Sequence, residues 1–381
     1  MSRTGENIYK RKDGRWEGRY IKGRSQKKTC YGYIYGRTYR EVKQRLTKIK
    51  AGQEVQHSIP PQEGENEILF SQIAREWLDR SRGNLKESSL VKYQNMLDGY
   101  LIPEFGNLSP DMIDRKLVNN YAEQLLRFGG KKRTGLSTKT VADSLSLLKN
   151  ILNYAQDNGI KVNEIGVSRT FRRHQKPLRV FQESEYQRLC KYLKEHRCLI
   201  NLGILLCLFT GIRVGELCAL RWGDISIPDK TLYVHQTMQR LGIGGEEGAK
   251  TKILISDPKS DCSKRLIPLP KMLMDELIAM RQSPDSFFLT GSPAKFVEPR
   301  TMQNRFRAVL KACGIDHANF HALRHTFATR CVEIGFDVKS LSEILGHASV
   351  NITLNRYVHP TIEQKRRNMD KLDQMAEIIG L

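Results

Sequence analysis

The sequence predicts a mainly α-helical protein of several domains with small β elements. The chain has 381 residues, which is more than one ordinary domain contains. Long stretches place apolar residues at helical spacing, whereas short aromatic or β-branched runs near the N-terminus and in the second half are typical of strands. We therefore divide the chain into three folded segments joined by two linkers.

The first segment, residues 1–52, is predicted to form a small sheet and one helix. GRWEGRYI and KKTCYGYIY are aromatic-rich and bounded by turn residues, and TYREVKQRLTKIKAG has helical spacing that Gly52 closes. Residues 1–50 hold 16 Lys+Arg against 4 Asp+Glu, so they carry 12 of the 22 net positive charges. Such a sheet can lie in a DNA groove, although a solvated basic face over an aromatic mini-core is the alternative. The candidate DNA contacts are Arg15, Arg19, Lys27 and Lys28.

The second segment, residues 67–165, is predicted to form a four-helix unit. The preceding residues 53–66 are polar, contain two prolines and are predicted to be a linker. The longest helix carries apolar residues on one face and is closed by Gly159. The predicted helix starts are Ser71, Ser88, Asp111 and Ser137.

Two basic connecting segments can approach a nucleic acid backbone. The loop GGKKRTG lies between the third and fourth predicted helices, and the second linker, residues 166–179, contains RTFRRHQKPLR. Lys and Arg in such segments can neutralise phosphates, although solvated charges are at least as common. The candidate contacts are Lys131, Lys132, Arg133, Arg172 and Arg173.

The third segment, residues 180–381, is predicted to form a larger mixed α/β domain. LINLGILLCLFTGIRVGELCALRW is typical of a buried helix pair, whereas TLYVHQT and KRLIPLP are typical of strands. Residues 362–381 have an apolar helical face, which can pack on its own domain or on a neighbouring protomer.

The net charge of +22 predicts a large anionic partner. Nucleic acid is the usual one, because each neutralised phosphate releases counterions, and an anionic membrane is the rival. No apolar run approaches the roughly 20 residues that span a bilayer, and the first residues lack a signal-peptide core. The eight cysteines include no Cys-x-x-Cys pair, so we expect reduced thiols, no metal site and a soluble protein of a reducing cytoplasm.

Four short motifs in the third segment place cationic and phenolic groups in a fixed order. Arg213 precedes Glu216 by three residues, so the carboxylate can orient a guanidinium that presents its fork to a phosphate. His321 and Arg324 share one helix face and can bind one ligand. Each motif alone has an ordinary structural explanation, such as a surface ion pair, a core histidine or an interface tyrosine. The motifs are Arg213 with Glu216, His321-x-x-Arg324, Gly346-His347 and Tyr357.

Together these motifs resemble the tyrosine recombinase, or phage integrase, family. The resemblance covers residues 180–381, which would be the catalytic domain, and the upstream segments resemble the arm-binding and core-binding DNA domains of that family. The basic N-terminal sheet and helix point to integrases of phages and conjugative transposons, because simpler members lack this domain.

The resemblance implies which residues carry the chemistry. It places the two catalytic arginines on Arg213 and Arg324, the histidines on His321 and His347, and the nucleophile on Tyr357, with Glu216 in support. The catalytic lysine precedes a Ser-x-Arg-x-Ile-Pro-Leu pattern, which here begins at Ser263 and makes Lys259 the candidate. The alternatives nearby are Lys250, Lys252 and Lys264.

The mechanism implied is strand exchange through a 3′-phosphotyrosyl intermediate, with no metal, ATP or other cofactor. The arginines and histidines would neutralise the phosphate, His321 is the candidate base for Tyr357, and Lys259 would protonate the leaving 5′-oxygen. The implied partners are core-type and arm-type sites on double-stranded DNA, further protomers in a tetramer, and an accessory factor that sets direction. Two alternatives remain open: a type IB topoisomerase, and a non-catalytic DNA-binding regulator with the same fold.

Overall fold

The computed structural model describes residues 7–10, 16–25, 28–36, 38–56, 68–130, 133–165, 178–242, 251–257 and 261–358, with residues 362, 365, 366, 369 and 370. The chain divides into two compact units, Met1–Glu67 and Ile68–Leu381. Among the described residues, no helix combines the length and the apolar character that crossing a membrane requires.

The N-terminal unit is an antiparallel sheet covered by one helix, as the sequence predicts. Its elements are β1 (Ile8–Lys10), β2 (Trp16–Ser25), β3 (Lys28–Gly36) and α1 (Tyr39–Gln56). The strands pair in the order β1-β2-β3, and α1 buries Val42 and Leu46. A Cβ atom at Gly18 would lie 2.6 Å from Val42, so this glycine allows the helix to approach the sheet. The helix extends four residues beyond Gly52, because one glycine near a helix end costs only about 1 kcal/mol and Gln and Glu favour the helix.

The second unit begins with a helical bundle. Its helices are α2 (Phe70–Ser81), α3 (Glu87–Met96), α4 (Ile102–Phe105), α5 (Arg115–Phe128) and α6 (Thr138–Asp157). A π-helical turn, Leu97–Leu101, joins α3 to α4, so these two helices form one continuous rod. Aromatic rings of Phe70, Phe105 and Tyr121 meet edge to face in the core. Far more of the described residues lie in helices than in strands, and the predicted fold class, mainly helical and multidomain, is confirmed.

The helix starts in this bundle differ in part from those predicted. Ser137 caps α6, because its hydroxyl accepts a hydrogen bond from the Thr140 amide at 3.1 Å. Asp114, not Asp111, caps α5 by accepting from the Leu117 amide at 2.7 Å. Asp111 lies instead in a short 3₁₀ turn that Pro110 begins. The helices predicted at Ser71 and Ser88 begin one residue earlier, at Phe70 and Glu87.

The remainder of the second unit is mixed α/β. Its helices are α7 (Glu183–Glu195), α8 (Leu199–Thr210), α9 (Val214–Ala219), α10 (Lys271–Ala279), α11 (Pro299–Ala312), α12 (His321–Glu333), α13 (Val338–Leu345) and α14 (Val350–Tyr357). Its strands are β4 (Ile225–Ser226), β5 (Thr231–Val234), β6 (Thr237–Gly242), β7 (Thr251–Ser256) and β8 (Arg265–Pro268). The strands form one antiparallel sheet, β4-β5-β8, and one hairpin, β6-β7. Helix α8 is buried along nearly its whole length and forms the centre of the core, with α9 and α12 packed against it.

Several predictions concern residues outside the described ranges. They are the linker from residue 57 onward, the linker at residues 166–177 and most of the C-terminal helix. The domain limits at residues 52, 66, 165 and 179 stay predictions.

Candidate active site

Arg213 lies at the turn between two helices of the core. Helix α8 ends at Thr210 and is capped by Gly211, whose φ of +66° is a conformation that glycine adopts without strain, and the chain then turns into α9. Arg213 is the N-cap residue of α9: its amide donates to Glu216 Oε2 at 2.9 Å, and its Nη1 donates to Oε1 at 2.7 Å. The side chain of Arg213 is 38% exposed, so its remaining donors can reach a ligand.

The carboxylate of Glu216 also holds a second arginine, Arg265 of β8. Arg265 Nη2 lies 2.9 Å from Oε2 and Nη1 lies 3.3 Å from Oε1. Arg265 Nε donates to the Ile344 carbonyl at 2.6 Å, which connects β8 to the end of α13. Burial alone would raise the pKa of Glu216, but the charges and hydrogen bonds of Arg265 and Arg213 hold it below its ordinary value. Glu216 is therefore an ionised anchor for two guanidinium groups.

Arg324 joins the ends of two helices. Its Nη1 donates to the Gly211 carbonyl at 2.9 Å, and its Nη2 donates to the Leu345 carbonyl at 2.7 Å. These carbonyls lie at the C-terminal ends of α8 and α13, where helices leave acceptors without partners. Arg324 is 2% exposed, and burial together with the nearby Arg213 lowers its pKa. An anion bound beside both arginines would relieve this repulsion.

His321 begins α12 and faces an open cavity of about 710 Å³. Partial burial and the neighbouring His325 and Arg324 lower the pKa of His321, so its ring is neutral at pH 7. The cavity is lined by polar and basic side chains from the α8–α9 turn, α11 and the start of α12. They include Arg213, Arg300, Gln303, Arg307 and Asn319.

Tyr357 ends α14 and is buried, with 6% of its surface exposed. Its hydroxyl lies 2.9 Å from Nδ1 of His325, and its ring lies parallel to that of His347 with the ring centres 6.4 Å apart. His347 Nδ1 in turn lies 2.8 Å from the Thr353 hydroxyl. Burial raises the pKa of Tyr357, although Arg324 and Arg356 oppose this effect. The phenol is therefore protonated at neutral pH in the absence of DNA.

The structure brings together all but one of the residues predicted to be catalytic. Arg213, His321, Arg324, His347 and Tyr357 converge from the α8–α9 turn, α12 and the α13–α14 region. Lys259 lies outside the described residues, as does Lys250. The two described alternatives form ion pairs, Lys252 with Glu87 and Lys264 with Asp257.

Two residues at this site are not in the set predicted from the sequence. His325 contacts the Tyr357 hydroxyl, and its spacing of four residues from His321 already places both rings on one helix face. Arg265 and Ile267 lie two residues apart on the buried face of β8. A charged residue at such a position requires a buried partner. Both signals are readable from the sequence once the strand and helix are assigned.

The residues proposed for DNA contact are described only in part. Arg19 lies in β2, Lys28 begins β3, and Arg133 is exposed in the loop before α6. The others lie outside the described residues: Arg15, Lys27, Lys131, Lys132, Arg172 and Arg173. Among the described side chains, no group of three or more His, Cys, Asp or Glu is arranged to hold a metal ion.

Family models match most of the second unit. The model described as the phage integrase family matches residues 179–364, and the phage integrase SAM-like domain matches residues 69–166. The chain belongs to the phage integrase family. One curated relative is a "Tyrosine recombinase XerC-like" protein of Caldanaerobacter subterraneus. It is 25% identical to this chain over 372 residues, which is 90% of this chain and 91% of the relative.

Solved structures of integrases share the fold. The Tn1549 transposon integrase in complex with transposon right end DNA superposes with a TM-score of 0.65 at 21% identity, covering 80% of this chain and 100% of that one. A lambda integrase tetramer bound to a Holliday junction gives a TM-score of 0.57 at 16% identity, covering 95% and 99%. The second of these likenesses extends into the N-terminal unit.

Proposed function

We propose that this integrase-family chain is a site-specific DNA recombinase that integrates and excises a mobile element. The observation that carries the proposal is the phenol of Tyr357, placed among two arginines and three histidines drawn from distant parts of the chain. No single structural role explains such a cluster, whereas a phosphodiester under attack needs both its negative charge neutralised and its nucleophile positioned.

In this mechanism the arginines bind the two non-bridging oxygens of the scissile phosphate. Arg213 is partly exposed and binds Glu216 through Nη1, so its other donors are available to the anion, and Arg324 would share the anion with it. His321 and His347 donate hydrogen bonds to the same phosphate. The Tyr357 oxygen attacks phosphorus, the bond to the 5′-oxygen breaks, and Lys259 protonates that oxygen. Rejoining to another 5′-hydroxyl completes the exchange, and the retained bond energy makes ATP and metal unnecessary.

The other domains supply the DNA addresses. We assign residues 1–52 to arm-type sites and residues 67–165 to core-type sites, with the basic loop and linker along the backbone. The net charge of +22 supports this assignment. The lambda integrase tetramer on a Holliday junction supports a tetramer of this chain on paired sites. An accessory factor that sets direction, and a place at the bacterial nucleoid, complete the proposal.

Covalent capture tests the proposal. In a duplex from the flanking DNA, nicked a few nucleotides beyond the cleavage site, the short fragment that carries the released 5′-hydroxyl diffuses away after attack, and the enzyme is trapped as an SDS-resistant adduct. We expect Tyr357→Phe to abolish the adduct and to bind DNA with an affinity within about twofold of wild type. Tyr233→Phe is the matched control, because Tyr233 is an exposed tyrosine stacked on His235, and it should form the adduct normally.

The alternatives predict other results. A non-catalytic regulator would bind DNA and yield no adduct with the wild-type chain. A type IB topoisomerase would form the adduct and relax supercoils but would not recombine two cognate sites. Recombination between such sites by the wild type, lost in Tyr357→Phe, would exclude both.

A further inference from the structure

The side chain of His325 lies within hydrogen-bond distance of the Tyr357 hydroxyl, and Arg324, which cannot accept a proton, also interacts with that hydroxyl. His325 and Tyr357 belong to α12 and α14, and their ring centres are 5.7 Å apart. Only 6% of the His325 surface is exposed, so water competes little for this contact. His321 lies one turn earlier on α12, at 4.5 Å from the His325 ring, and faces the cavity beside Arg213.

We propose that His325, and not His321, is the catalytic residue that accepts the phenolic proton of Tyr357 when the tyrosine attacks DNA. This inference rests on the proposed function and adds a residue to it. His321 then keeps a separate task, which is to donate a hydrogen bond to the phosphate from the cavity side.

The charged surroundings favour a neutral His325 before DNA binds. Arg356 and Tyr357 of α14 face the ring, as do Arg324 and His321 of its own helix, and His347 after α13 stacks on the Tyr357 ring. Burial, followed by the charges of Arg356 and Arg324, lowers the pKa of His325 to about 4. A neutral imidazole protonated on Nε2 offers Nδ1 as an acceptor, which is the atom that faces the phenol.

The proton balance is complete without another reactant. In cleavage, the Tyr357 proton moves to His325 Nδ1, the Oη–P bond forms, the bond from phosphorus to the 5′-oxygen breaks, and Lys259 gives that oxygen its proton. In rejoining, the incoming 5′-hydroxyl returns a proton to the lysine, the Oη–P bond breaks, and the His325 imidazolium returns the proton to the phenol. The negative phosphate beside Arg324 offsets the extra positive charge on the ring during the step.

Single-turnover cleavage of the nicked duplex by the full chain tests this role. His325→Asn keeps a hydrogen-bond acceptor near Oη but cannot take up a proton at neutral pH. We expect its cleavage rate at pH 7 to fall by about 100-fold with unchanged DNA affinity, since general bases contribute typically 10²-fold or more. Its rate should then rise about tenfold per pH unit up to pH 9, as the phenol ionises unaided, while the wild-type rate stays nearly level.

A second substrate separates the base from the acid. Replacing the bridging 5′-oxygen by sulfur gives a leaving group that departs without a proton, so it relieves the loss of an acid and not the loss of a base. His325→Asn should remain about 100-fold slower than wild type on this substrate. If Asn at this site lowers the melting temperature by more than a few degrees, His325→Gln serves as the second variant.

Each outcome supports or overturns the role of His325 as the base. A variant that cleaves within twofold of wild type at every pH, or whose deficit is the same at every pH, overturns the proposal, and the latter result would make His325 a positioning residue. Rescue by the sulfur substrate would assign His325 to the leaving group and also overturn it. An adduct that forms with neither wild type nor any variant would instead overturn the proposed function.

Discussion

Glu216 and Arg265 form a two-pronged ion pair in the core, in which the side chains are 3% and 6% exposed. The same carboxylate holds Arg213, and Arg265 also donates to the Ser263 and Ile344 carbonyls. The pair therefore connects three parts of the chain: the α8–α9 turn, strand β8 and the end of α13. Because Arg265 fixes the carboxylate that also binds Arg213, the pair helps to hold the Arg213 guanidinium in place.

Arg265→Met should destabilise the protein strongly. The methionine fills the space but leaves Glu216 buried with one partner, and breaking a buried ion pair from one side costs about 3–5 kcal/mol. Urea unfolding measures the loss. Lys339→Met is the control, because Lys339 pairs with Glu343 on the surface and should lose less than about 0.5 kcal/mol. Equal losses in the two variants would show that the pair does not act as argued.

The two arginines should respond differently to replacement by lysine. Arg324→Lys loses at least one of two buried hydrogen bonds to helix ends, at about 1.5–3 kcal/mol, whereas the partly exposed Arg213→Lys should lose less than about 1 kcal/mol. Both should cleave DNA at least about 100-fold more slowly, because an ammonium lacks the planar fork. Thermal unfolding of each variant measures its loss of stability, and covalent capture on the same preparations measures its loss of cleavage.

Gly211→Ala should cost more stability than Gly314→Ala. Both glycines have φ near +60°, so alanine is strained by about 1 kcal/mol at either position. At 211 the added Cβ would also lie 2.6 Å from Phe327 and 2.9 Å from Leu345, whereas at 314 it meets nothing within 4 Å. We expect Gly211→Ala to lose at least about 2 kcal/mol in urea unfolding. Indistinguishable variants would contradict the close approach of α8 to α12 and α13.

Acid should weaken the fold between pH 6.5 and about 4. The unfolded chain binds a proton on His325 near pH 6.5, but the folded protein binds it only near pH 4, so unfolding takes up a proton in this window. The free energy of unfolding therefore falls as pH falls. His325 alone contributes at most about 3.5 kcal/mol, since a tenfold change in proton affinity is worth about 1.4 kcal/mol. Urea unfolding at pH 7 and at pH 5 should show that the free energy of unfolding falls less in His325→Asn than in wild type. An equal fall in the two proteins would contradict the low pKa of His325 in the fold.

The sequence predicts the helices, and the candidate catalytic residues that the fold brings together, better than the contacts around them. Periodicity locates α6 and the buried pair α8–α9, because apolar spacing and a capping Ser137 act locally. The ordered motifs locate Arg213 and Tyr357, because such short patterns need no three-dimensional information.

What the sequence could not supply is the set of contacts between distant segments. The ion pair of Glu216 with Arg265 spans 49 residues, and the hydrogen bond of His325 with Tyr357 spans 32. Neither separation is written into a local pattern. The assignment of His321 as the base for Tyr357 is such a case. His321 and His325 lie on one helix face, and only the position of α14 shows which ring is near the phenol.

The hydrogen bonds of Arg324 have an evolutionary consequence. Arg324 binds carbonyls at the ends of two helices and also lies beside Tyr357, so a mutation that removed its proposed role would also loosen the protein. Tyr357 is also buried, but a phenylalanine at this position keeps the packed ring and removes only the hydroxyl that contacts His325. We therefore expect related proteins that bind DNA but no longer cleave it to have lost the tyrosine early. They should retain the arginine long after strand cleavage has ceased.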